Sequence, residues 1–381
     1  MIPYATQTIE EADLAAVKAV LTSGWLTQGP AVPRFEQEFA LAHQVGHAYA
    51  VSNATAGLHL ACLALDVGPG DWVWTSPISF VASANCALYC GAQVDFVDVD
   101  LVSRNMSVAA LAEKLAVAKQ LNKLPKVVIP IHFAGLPCDM LGLRALADEY
   151  GFALLADASH AVGASYLGLP VASQYADISV FSFHPVKIIT TGEGGMVTTN
   201  DARLAARIEL LRSHGITRDA QHMEVAPDGA WVYEQQALGF NYRLTDIQAA
   251  LGSAQLNRLP VFHAQRETLA DNYPALLTGL GMVLPEVPVG YRSSWHLYAV
   301  QLACDRARVF ARMREQGIGV NVHYIPIHLQ PYQRRLGGFS EGYCPNAETY
   351  YRGALSLPLY PKLTTEQQQE VAYALRRAIA E

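Results

Sequence analysis

The chain has 381 residues, of which 51% are hydrophobic and 16% charged, and a formal net charge of −7. That length and apolar content exclude both a single small domain and an extended disordered chain, and imply two well-covered cores. The acidic balance excludes a general nucleic-acid binder, which needs a basic face, but leaves room for a local pocket that takes a phosphorylated small molecule.

Taken in chain order, the opening MIPYATQTIEEADLAAV has no basic stretch before an apolar core, so no secretory signal is expected in it. HAYAVS reads as a strand. Residues 54–65 read as a helix, with Leu58, Ala61, Cys62 and Leu65 at i, i+3, i+4 and i+7 on one face. DWVWTS and QVDFVDV are further strands, with FVASANCALYCG as the helix between them. KVVIPIH reads as a buried strand, CDMLGLRALADEYG as a helix closed by Gly151, and FALLADAS as the next buried strand. DISVF and MVTT then flank a loop that carries Lys187. This alternation predicts an α/β fold, a mostly parallel central sheet covered by helices on both faces.

LTDIQAALGSAQLNRL opens with Thr245 and Gln248 in capping-box spacing, and Pro260 is expected to mark its end. From there a smaller C-terminal α+β unit is expected, with HLYAVQL and VNVHYIPI as strands and TEQQQEVAYALRRAIA as its closing helix. The predicted domains are therefore 1–259 and 260–381. No apolar run is long enough to span a bilayer. The six cysteines contain no CxxC, and Cys86 and Cys90 read as buried free thiols on one helix face. A cytoplasmic location is expected.

The stretch SFHPVKIITTGEGG, Ser182 to Gly195, carries the chemistry. A lysine desolvated among apolar neighbours has a lowered pKa, and its neutral amine becomes a nucleophile able to form an imine with an aldehyde. Asp157 falls at the carboxyl end of a buried strand, where ligands of open α/β sheets sit, and reads either as a helix cap or as an acceptor for a buried cationic ring nitrogen. Lys187 and Asp157 together are what pyridoxal phosphate (PLP) chemistry requires. SNATAG, Ser52 to Gly57, joins a strand to a helix start and suits a phosphate, with Thr55, Ala56 and Ser182 as further donors. HQVGH has metal-like spacing between His43 and His47 but lacks the glutamate of a zincin, and neither a dinucleotide fingerprint nor a P-loop is present.

DASHAVGA, SFHPVKIITTGEGG, GFNYRLTDIQAALG and SGWLTQGP together resemble the nucleotide-sugar aminotransferases, PLP enzymes of fold type I, from about Tyr4 to the last helix. TSPISFVASAN, HYIPIHLQPY and SLPLYP look most like the C-4 aminotransferases of pseudaminic acid biosynthesis. The resemblance implies transfer from an amino acid, normally L-glutamate, to a UDP-linked 4-keto-6-deoxy-N-acetylhexose, with pyridoxamine phosphate as the intermediate cofactor form. By position, it implies Lys187 as the Schiff-base lysine and Asp157 as partner of the pyridine nitrogen. His160 matches the neighbour of the phenolic oxygen and Phe80 the ring that stacks on the cofactor. Thr55, Ala56 and Ser182 match the phosphate cradle, and Asn241 a residue reaching the neighbouring subunit's phosphate, hence a homodimer. Tyr4, the segment Gly24, Trp25, Leu26, Thr27, and His323 with Tyr324 match sugar-nucleotide contacts. Alternatives are another UDP- or dTDP-keto sugar, a PLP-dependent sugar dehydratase, in which a histidine replaces the lysine, and a cofactor-binding regulator without turnover. Neither nucleic acid nor membrane is an expected partner.

Overall fold

The structure, a computed structural model, describes residues 1–172 and 174–380. Seven strands form the main sheet: β1 (His47–Val51), β2 (Trp72–Thr75), β3 (Gln93–Phe96), β4 (Val127–Ile129), β5 (Ala153–Asp157), β6 (Ile178–Ser182) and β7 (Gly195–Thr199). Their order is β1-β7-β6-β5-β4-β2-β3. Only β7 runs against the rest, pairing antiparallel with both β1 and β6. The sheet is thus mixed but mostly parallel, as the alternation of elements predicts.

Strand side chains alternate between two helical layers. Val127, Ile129, Leu155, Val180 and Val197 enter one core, with the helices Ala54–Ala64, Ala82–Tyr89 and Ala202–Arg212. On the opposite face Val128 and Leu154 meet the helices Val108–Gln120 and Met140–Tyr150. Phe181 and Met196 point the same way, against Phe35, Phe39 and the helix Asp246–Asn257. Burial on both faces explains why VVI is an unbroken apolar run and why even the serines of ISVFS are buried.

Gly151 closes its helix in the left-handed conformation (φ 78°), as its place in the sequence predicts. The Thr245/Gln248 capping box is also present. Two expectations fail. Pro260 does not terminate anything: the helix stops at Asn257, and Pro260 occupies the first turn of a new helix, Leu259–Leu276, where its missing N–H is no loss. VNVHYIPI is not a strand. Only Asn321 bridges, to Ser356, before the chain leaves the sheet; the His323 carbonyl is satisfied by the Tyr350 hydroxyl (2.9 Å), and Pro326 has no N–H for a ladder.

A second sheet, β8 (Met282–Val283), β9 (Tyr298–Leu302) and β10 (Ala354–Leu357), is antiparallel throughout. It packs Val300, Leu355 and Leu357 against Leu269, Tyr273, Val371 and Leu375 of the helices Leu259–Leu276 and Thr365–Ala380. The N-terminal segment joins this second core through Ile2, whose amide and carbonyl bond Gly317 and Gly319, and Leu359 N–H holds the Tyr4 carbonyl (3.1 Å). All six cysteines are free, and Cys90 is half-buried rather than buried. Among the described residues no helix is long and apolar enough to cross a membrane.

Candidate active site

The carboxyl ends of β1, β5 and β6 open into a cavity of about 660 Å³. After β1, Asn53 caps the helix Ala54–Ala64, its Oδ1 accepting from Ala56 N–H at 2.8 Å. Gly57 N–H bonds the Asn53 carbonyl. Among the described residues the amides of Ala54 and Thr55 have no partner, so two N–H groups and the positive helix end face an anion. Gly195 lets this helix start rest on β7: a Cβ there would meet Ala54 N and the Asn53 carbonyl carbon at 2.9 Å each. Thr55 and Ser182 line the same end of the cavity.

The loop after β6 is stapled to one carbonyl. Phe183 O accepts from Thr191 N–H (3.0 Å) and from Thr190 Oγ1 (2.9 Å), while Ile188 and Ile189 are buried. Lys187, between the turn and these anchors, bonds among the described residues only through its amide, to the His184 carbonyl, and it lines the cavity. Burial pushes its amine down to about 8, against a smaller pull from the Asp157 carboxylate. Asp157 ends β5, and burial raises its pKa, countered by Ser159 and by the Lys187 charge. No ion pair joins the two among the described residues. Their charges face the same open space, each short of a partner.

Opposite them stands a group of uncharged rings. Ala134 N–H donates to His160 Nδ1 (3.2 Å), so the neutral ring carries its proton on Nε2, which meets Tyr324 Oη at 3.1 Å. Both nitrogens of His160 are engaged, and the free hydroxyl proton of the pair is that of Tyr324. Burial pushes His160 and His296 well below the usual histidine range, His323 to about 3, and Tyr324 upward, so all four stay neutral. Ser356 Oγ fixes His323 Nδ1 at 2.8 Å.

The cavity gathers Tyr4, Thr55, Phe80, Asp157, His160, Ser182, Lys187, His323 and Tyr324 from the sequence-predicted set. Phe80 is 61% exposed and presents a free ring face. Ala56 contributes no open amide, since Asn53 already holds it. Gly24, Trp25, Leu26 and Thr27 are exposed and outside the cavity lining; the segment is tied to the helix Asp246–Asn257, where Leu26 O accepts from Asp246 N–H (3.1 Å). Asn241 is exposed as well and does not line this chain's cavity. Sequence reasoning missed Asn53 as the cap, which its type and place did signal, and His296, which no spacing marks. The HQVGH spacing is unused: buried His43 donates from Nδ1 to the Phe39 carbonyl (3.0 Å) and stacks on that ring, and no group among the described residues is suited to a metal.

A family model described as the DegT/DnrJ/EryC1/StrS aminotransferase family matches residues 7–376. The chain belongs to that family. It is a PLP-dependent sugar aminotransferase. It is 38% identical over 382 residues to the spore coat polysaccharide biosynthesis protein SpsC of Bacillus subtilis, across 98% of this chain and 96% of that protein. Among solved structures it is similar to Helicobacter pylori PseC, an aminotransferase of pseudaminic acid biosynthesis, with a TM-score of 0.91 and 29% identity over 100% of this chain and 99% of that one. A sugar aminotransferase from Streptococcus pneumoniae, Spr1654, solved in its pyridoxamine phosphate form, gives 0.90 at 28% identity over 100% and 99%. That protein's PLP form matches too.

The residues of this aminotransferase fit the cofactor chemically. Two open amides and two hydroxyls suit its phosphate, a buried acid without a cation suits its ring nitrogen, and an amine poised near neutrality suits its aldehyde.

Proposed function

We propose that the enzyme moves an amino group from an amino acid, L-glutamate first, to the C-4 carbonyl of a UDP-linked 4-keto-6-deoxy-N-acetylhexose, as in pseudaminic acid biosynthesis. The observation that carries this is the pairing of Lys187, held near 8, with buried Asp157 in one cavity beside a helix start. HYIPIHLQPY and the likeness to PseC support the sugar class.

When bound, PLP supplies an aldehyde that carries the amino group and a ring that withdraws electrons from the reacting carbon. Lys187 would hold that aldehyde, and its Nζ, freed by the donor amine, would take the proton from the donor α-carbon and return it two bonds away, on the far side of the intervening nitrogen. Asp157 keeps the proton on the ring nitrogen. Thr55, Ser182 and the amides of Ala54 and Thr55 would hold the phosphate, and Phe80 would offer its ring to the cofactor. His160 orients Tyr324, and Tyr4, His323 and Tyr324 hold the sugar. Asn241 from a second copy reaches the phosphate end and the Gly24–Thr27 segment the nucleotide, so the working unit is a homodimer. Free thiols and the absence of a membrane-crossing helix among the described residues support a reducing, cytoplasmic setting.

The test is a panel of UDP- and dTDP-linked keto sugars mixed with enzyme and glutamate, followed by cofactor absorbance and product mass. Amination of the UDP-linked N-acetyl sugar is expected. Conversion of dTDP sugars alone would overturn the nucleotide assignment, and conversion of none would overturn the substrate class.

A further inference from the structure

An amino-acid donor brings a carboxylate into this cavity, and the sugar that replaces it does not. Among the described residues lining the cavity, the only lysine or arginine is Lys187, which is committed to the chemistry. No arginine of this protomer is among the described residues that line it.

His296 has the properties such a site needs. It lines the cavity, is 2% exposed, and packs with its ring centroid 4.4 Å from that of His160. Its Nδ1 is enclosed with no partner among the described residues, which leaves Nε2 as the ring nitrogen to serve the cavity that the residue lines. Orphaned buried N–H groups are rarer than orphaned acceptors, so the proton of the neutral ring belongs on Nε2. The ring therefore presents one N–H donor to whatever fills the space.

Arg266, 1% exposed, approaches the His296 backbone carbonyl, and the guanidinium charge is felt at the ring. Its Nη1 donates to the carbonyls of Trp295 and Leu359 at 3.0 Å each and approaches that of His296 at 3.5 Å. Its Nε has no partner, and no carboxylate pairs with it among the described residues. A buried guanidinium without a counter-charge is unfavourable. Its positive field is left to act on the end of the cavity that His296 faces.

We propose that His296, beside the buried charge of Arg266, receives the carboxylate of the amino-acid donor through Nε2–H, and that the same N–H serves a sugar oxygen in the second half of the reaction. The inference rests on the amino-acid donor proposed above. A neutral donor beside an uncompensated cation suits both guests. The field attracts the anion, yet no bare charge is left against the sugar when the anion departs. An arginine on the cavity wall would be stranded at that moment.

Glutarate, a dicarboxylate with no amino group to react, tests the site on the PLP-loaded enzyme. By titration calorimetry His296→Leu is expected to weaken glutarate binding by about tenfold or more, with the cofactor's absorbance unchanged, whereas His296→Gln, which keeps an N–H, stays within about threefold. In the wild-type enzyme glutarate should shift the ring ¹⁵N resonances of His296, a readout independent of how the variants fold. Wild-type affinity in the leucine variant, or unmoved His296 resonances at saturation, would overturn the proposal. If glutarate binding follows this pattern while glutamate fails to convert the bound cofactor, the carboxylate site stands and the donor assignment falls.

Discussion

The two walls of the cavity are built in different ways. The wall bearing Asp157, Ser182 and Thr55 is set by backbone: β5 and β6 pair Asp157 with Val180, β6 and β7 pair Ser182 with Gly195, and the helix start rests on β7. The wall bearing Tyr4, His296, His323 and Tyr324 comes from extended segments outside the main sheet, fixed largely by side chains such as Ser356, Tyr350 and His160. Sheet register is hard to change by one substitution, whereas a side-chain network can be retuned piece by piece. A fold that holds one cofactor while accommodating different sugars needs that division.

Substitutions on the two walls should therefore differ in size and in kind. The largest effect is expected for Lys187→Ala, which removes the amine while leaving the strands intact. Turnover should fall by about a thousandfold or more, with the folded state retained by circular dichroism. A variant with wild-type turnover would erase the distinction at its root. On the other wall, Ser356→Ala frees the His323 ring without touching Lys187 or Asp157. It should raise the KM for the keto sugar by about tenfold while glutamate still converts the cofactor at nearly the wild-type rate. Equal damage to both half-reactions would mean that the walls are not separable.

The smallest effect is on stability and follows from the pKa of Lys187, which falls from its ordinary 10.5 to about 8 in the cofactor-free protein. Between those values the unfolded chain binds more protons at this site than the folded one, so stability rises with pH across the window. Below about 8 the amine is protonated in both states, and the folded state bears the whole burial penalty. Cofactor-free Lys187→Met should accordingly be more stable than wild type below pH 8, with the gap closing toward pH 10.5, as read by urea unfolding. A gap that widened over that range would contradict the desolvated position of the amine.

The backbone-built wall was also the more legible in the sequence. Apolar runs located β5 and β6, the acid and the hydroxyl end those strands, and the lysine follows β6 within a few residues. The Gly-rich turn after Lys187 marked where the chain reverses into β7. The other wall left weaker traces. VNVHYIPI has strand-like composition, yet its His323 and Tyr324 serve the cavity instead of a sheet, a choice made by contacts with Ser356 and His160 far away in sequence. Pro260 misled for a local reason, because a proline just after one helix and just inside the next looks the same until the second helix is known. The Ala56 amide was read as free because a cap bond to Asn53 is invisible in a list of residues. His296 carries no spacing signal at all; its unpaired nitrogen and the arginine beside it exist only in three dimensions.

Bare backbone at Gly195 makes the seat of the helix start a matter of one carbon atom. Because nothing separates the first residue of β7 from Asn53 and Ala54, a single added methyl would act as a shim, pressing on the anion-facing helix start and, at 2.8 Å, on the Phe181 carbonyl of β6. After such a change the grip on a phosphate and the amine at 187 would no longer measure the same molecule.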